Sequence, residues 1–269
     1  MECRCNTLGW LLTMAFAAAT NAALAQTLPE SAVYSSQSTV KTEPSLPQTA
    51  DYGPRAVQQG FVPAPVPLDE LPPPLRDRVR VVLEHPTLAS RGPLEAFRCR
   101  PSIYFWLLDH PDVAMRLWRG LGAKCSEIHA LGEGTFAWRD TQYGEVHWQT
   151  IVRNGRQRVW YAEGRVKAGP LLPTVSLHAV VVLTHQEGSD GKGRPAVRHQ
   201  MDMILHTDSR AVSLAARLFG ASAPHMAEEY VGQMQMFFGA LAWYLSEHPN
   251  KAAVLFEELK LSPGFSLGG

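Results

Sequence analysis

Residues 144–167 read GEVHWQTIVRNGRQRVWYAEGRVK, and this stretch decides the fold class. Val146, Trp148, Thr150 and Val152 alternate with polar neighbours, the period of two expected of a strand with one buried face. Asn154-Gly155 follows, the favoured pair for a tight hairpin turn, so 144–153 should pair antiparallel with 156–167. Working outward, residues 126–139 carry the same Trp, Ile and Thr enrichment. Residues 174–185 contain Ala179-Val180-Val181-Val182-Leu183, a buried strand. A Gly-Ser-Asp-Gly-Lys-Gly loop at 188–193 then returns the chain through 197–206. Five or six strands with short connections make an antiparallel meander.

Helical spacing flanks the meander on both sides. Before it, Val79, Val82 and Leu83 share one face of a helix over 76–85 that Pro86 stops. Residues 94–97 suggest another helical turn. An aromatic stretch at 102–108 ends at His110-Pro111, and Pro111 opens a helix through Leu121 with Gly122 as its stop. After the meander, Asp208-Ser209 caps a helix over 211–219. Pro224 then starts the longest helix, to His248, with Met226, Tyr230, Met234, Phe237, Leu241 and Leu245 as its apolar stripe.

The expected class is α+β: short helices, an antiparallel β-meander, then a long C-terminal helix. Over roughly residues 100–248 this order resembles the helix-grip fold of the START-like (SRPBCC) superfamily. The resemblance implies a sheet curved around the long helix and an internal cavity between them. The wording of 160–164 and 230–238 also looks like secreted bacterial proteins with no assigned role, which adds no function.

The ends read differently from the centre. Arg4, the apolar stretch 8–19 and Ala23-Leu24-Ala25 fit a secretory signal peptide over 1–25, which implies export to the periplasm or beyond. Residues 26–74 hold half of the 20 prolines and read as a Pro-rich disordered linker that could reach a protein partner. A single α+β domain over 75–255 and a flexible tail over 256–269 complete the expected organisation. No internal stretch approaches the ~20 apolar residues of a membrane span, so none is expected after signal cleavage.

Composition removes several functions. Lys and Arg total 25 against 25 Asp and Glu, so no large basic surface is available for nucleic acid. No phosphate loop, dinucleotide fingerprint or nucleophile elbow occurs. The ten histidines show no zinc spacing. His147, Glu163 and His178 could meet only across strands, so no metal and no cofactor are expected. Cys99 and Cys125 flank the two helices broken at His110-Pro111, and a helical hairpin there would bring them together as a disulfide.

What remains is soft apolar material suited to an elongated ligand. The favoured reading is an exported protein that binds a lipid or other apolar small molecule. Met234, Phe237, Phe238 and Leu241 form the helix wall, and Trp148, Trp160 and Met203 face them. His147, Glu163 and Asp202 are the candidates for orienting polar groups. Gly239 is expected to border the cavity, and 167–174 to cover its mouth. The alternatives are a non-enzymatic envelope adaptor with a solid core and, more weakly, a hydrolase or cyclase using His147 with Asp202.

Overall fold

The computed structural model describes residues 61–167, 174–208 and 222–265, with only the backbone of 222–226. The signal peptide, the first part of the linker, the covering loop (168–173) and the helix expected at 211–219 lie outside the described residues.

The chain is α+β. α1 (Pro73–Glu84) precedes two short strands, β1 (Leu88–Arg91) and β2 (Glu95–Arg98). Two helices follow, α2 (Pro101–Asp109) and α3 (Pro111–Gly120), each with proline in its first turn where a missing N–H costs nothing. The meander comprises β3 (Ile128–Gly132), β4 (Thr135–Asp140), β5 (Gly144–Arg153), β6 (Gln157–Val166), β7 (Val175–Ser189) and β8 (Pro195–His206). It is followed by α4 (Ser222–Glu247) and α5 (Pro249–Glu258). The eight strands form one antiparallel sheet in the order β1-β8-β7-β6-β5-β4-β3, with β2 also on β8.

Three local expectations change. Residues 95–98 are a strand, not a helical turn: Phe97 packs edge-on against Tyr104 and His199, and β8 supplies the partner backbone. A four-residue segment is too short for propensity to outweigh such a neighbour. The hairpin after β5 turns about Gly155-Arg156. Asn154 accepts the N–H groups of Arg156 and Gln157 through its side chain instead of sitting at the centre of the turn. A bulge between Thr150 and Val152 moves Val152 to the opposite face from Val146, Trp148 and Thr150.

The sheet carries a core on each face. On one, which we call the outer face, Val152, Val159, Tyr161, Val180, Val182 and Ile204 pack beneath α1. Phe61, Ala64, Val66, Leu68 and Leu71 join them, so 61–74 lies on the domain rather than serving as linker. The prolines of that segment suit an extended strap whose apolar side chains still face the sheet. On the inner face, α2, α3, α4 and α5 cover a larger core that includes Phe256, with Leu259, Leu261 and Phe265 packed against it. The segment read as a flexible tail therefore closes the core through residue 265.

Cys99 and Cys125 remain thiols rather than halves of a disulfide. Cys99 follows β2, beside β8, and Cys125 precedes β3 at the other edge of the sheet. α2 and α3 therefore carry the chain across the sheet instead of folding its two ends together. Burial pushes the Cys99 thiol up to about 12, so it stays protonated.

Candidate functional site on the inner face

Antiparallel register sets the floor of the inner face row by row. One row runs Phe136, Trp148, Ala162, Ala179, Leu205 across five strands. The next runs Thr150, Trp160, Val181, Met203. On the other side, Val146 faces Gly164 and Gly164 faces Leu177. Small residues at 162, 164 and 179 thus lie together at mid-sheet, with Trp148, Trp160, Leu177 and Leu205 around them.

α4 lies over this face, with Phe237, Phe238 and Leu241 in the same core and Met234 packed against it. The expected apolar wall residues Trp148, Trp160, Met203, Met234, Phe237, Phe238 and Leu241 therefore share one core. They are not closed equally. Leu107, Leu117 and Leu241 are fully buried, whereas Trp148, Trp160 and Phe238 each keep 9% of their surface accessible. Ala162 and Val181, on central strands, are only partly buried. Residual access is therefore found in the middle of the sheet.

The three polar candidates sit elsewhere. His147, Glu163 and Asp202 alternate with the inner residues, so pleating turns them to the outer face. The parity of 147 against 148, and of 202 against 203, carried that signal. Asp202 acts as a clamp: Arg91 donates to it at 2.6 and 2.8 Å, and the Ala64 N–H donates at 2.8 Å. Arg91 also donates to the Val62 carbonyl and lies over the Phe61 ring, so one buried carboxylate fixes the start of the strap.

His147 contacts Glu145 at 2.5 Å, and that hydrogen bond, with Arg139 nearby, holds the Glu145 carboxyl below its usual range. Glu163 accepts from Arg78 and from the Tyr161 hydroxyl, while His178 contacts the same hydroxyl. Burial, reinforced by Glu163, pushes Tyr161 up to about 12. These groups border an open outer cleft of about 840 Å³ whose lining includes Arg139, Glu145, His147, Glu163, Arg165 and His178. Among the described residues no three ligating side chains are arranged to hold a metal ion.

Gly239 does not lie at mid-sheet. A Cβ there would lie 3.3 Å from the Phe97 ring, and one at Gly232 3.4 Å from Pro93, so both glycines let α4 approach the first strands. Gly92 is tighter still: a Cβ would fall 2.0 Å from Gln235 Oε1. Buried Gln235 accepts from the Met201 N–H and donates to the Pro93 carbonyl, joining α4 to both edges of that crossing.

Sequence reasoning missed a buried polar cluster beneath α2. His199 donates through Nε2 to Glu95 and accepts at Nδ1 from Tyr104, in contacts of 3.0 and 2.5 Å. Arg158 donates to Asp109 and to the Asn154 carbonyl. His185 lies tilted against Phe105, ring centroids 4.5 Å apart, and its two ring nitrogens are buried without a hydrogen-bond partner. Burial, with Arg158 and His199 adding repulsion, lowers its pKa to about 4.

No protein-family model matches the chain, and a search of curated proteins gives no match. Solved structures do match. A conserved protein from Geobacillus kaustophilus is 11% identical with a TM-score of 0.38, and the match covers 58% of this chain and 97% of that one. An uncharacterised protein from Rhizobium leguminosarum is 11% identical with a TM-score of 0.29, covering 54% and 97%. A hypothetical protein from Helicobacter pylori is 7% identical with a TM-score of 0.38, covering 61% and 93%. No helix among the described residues is long and apolar enough to cross a membrane.

Proposed function

We propose that this chain is an exported START-like binding protein that holds a lipid or other apolar small molecule between the inner face of its sheet and α4. The strand order supports the helix-grip reading: the first strands pair with the last, two helices cross to the far edge, and a long helix follows the meander. The observation that carries the ligand is the residual access at mid-sheet, where Ala162 and Val181 are only partly buried between Trp148, Trp160, Met203 and Phe238. Apolar burial supplies the affinity, at ~25 cal/mol per Å².

The enzyme alternative calls for a titrating His or Asp inside the pocket, such as His147 with Asp202. Both belong to the outer face, and Asp202 is committed to Arg91 and Ala64, so nothing favours that reading. The test is titration with an environment-sensitive apolar fluorophore. Val181→Phe fills the hollow and is expected to weaken binding at least tenfold in a folded protein. Unchanged binding in that folded variant would remove the site from this face.

A further inference from the structure

We infer that the inner crevice selects an uncharged ligand, one carrying at most a hydroxyl, carbonyl or ester oxygen. This rests on the binding reading above and specifies what that site accepts. The floor rows through Trp148, Trp160 and Val146 contain no ionisable side chain. Neither do the α4 residues over them, Met234, Phe237, Phe238 and Leu241. Pleating sends His147, Glu163 and Asp202 to the opposite face.

The ionisable inner-face side chains in the neighbouring rows are already committed, Arg153 to Asp109 among them. Arg158 is held by Asp109 and the Asn154 carbonyl, and His199 by Glu95 and Tyr104. Leu183 and Met201, both buried, fill the rows between the hollow and His185 and His199. An ionised head drawn into the hollow would lose its water and meet no counter-charge among the described residues. That penalty exceeds what a neutral oxygen pays on the same path. Besides His185, Trp138 Nε1 and Thr150 Oγ1 on this face are buried without a partner. They can serve a neutral acceptor but cannot neutralise a charge.

The experiment uses the exported chain and four ligands of equal alkyl length: a fatty alcohol, its acid's methyl ester, the carboxylate and the alkylamine. Each is titrated below its micelle concentration at mildly alkaline pH against the bound fluorophore. Alcohol and ester are expected to bind at least tenfold more tightly than carboxylate and amine, and Val181→Phe or Ala162→Leu to abolish the difference. Carboxylate or amine binding as tightly as the alcohol overturns this inference and leaves the binding site standing. If none of the four displaces the fluorophore, both the inference and the binding reading fall.

Discussion

Val180 and Val181 are neighbours on β7 and face opposite sides of the sheet. Val180 has no accessible surface beneath the strap and α1, while Val181 is only partly buried in the larger core beneath α4. Of the two valines, Val180 is thus the more completely closed. Val180 lies under a short segment fixed by one buried carboxylate, whereas Val181, in the core covered by four helices, keeps some accessible surface. The face built from larger side chains also carries small residues in adjacent register at mid-sheet, Ala162 opposite Ala179, while Gly164 lets the β5 backbone approach.

The largest expected effect is at the clamp. Asp202→Ala removes the partner of Arg91 and the acceptor of the Ala64 N–H, and should cost about 3 kcal/mol in denaturant unfolding. It should also expose residues 61–64 to proteolysis. Wild-type stability and resistance would show that the outer face closes without the strap.

The valine pair gives the next effect. Val180→Phe overpacks a full core and should cost about 1–3 kcal/mol, while Val181→Phe should cost less than about 1 kcal/mol and affect ligand binding instead. Equal destabilisation would erase the contrast between the faces.

Acid sensitivity comes third. Folded His185 stays neutral to about pH 4, whereas the unfolded ring takes a proton near its ordinary 6.5. Its contribution is therefore complete above about 6.5 and declines as pH falls towards 4. His185→Leu should flatten that part of the stability profile, and an unchanged slope would assign the acid response to other groups.

The smallest effect is chemical. Cys125 is partly accessible and Cys99 is buried with its thiol held protonated, so a thiol reagent should label Cys125 first in the native protein. Labelling only after reduction would restore the disulfide expected from sequence.

Much of this contrast was legible in the sequence. Alternation identified β5 to β8, and Pro111, Gly122 and Pro249 marked real helix boundaries. Odd and even positions also separate His147 from Trp148 and Asp202 from Met203, so the sequence itself assigns the polar candidates to the opposite face. The rest depended on tertiary partners. Residues 95–98 became a strand because β8 lay beside them, and the bulge at Thr150/Val152 left no mark in the hydrophobic pattern. Phe61, Val66, Leu68 and Leu71 were hidden among prolines that signal extended chain without saying whether it packs. His185 and Arg158 looked like ordinary polar strand residues until α2 covered them.

The central claim, an apolar ligand held on the inner face, is tested most directly by native mass spectrometry of the purified chain followed by organic extraction. The account predicts a reproducible mass above the apoprotein, released on denaturation as an uncharged apolar molecule and lost in Val181→Phe. A clean apo mass that persists after incubation with mixed lipids would contradict it and leave the inner face as the core of an adaptor domain.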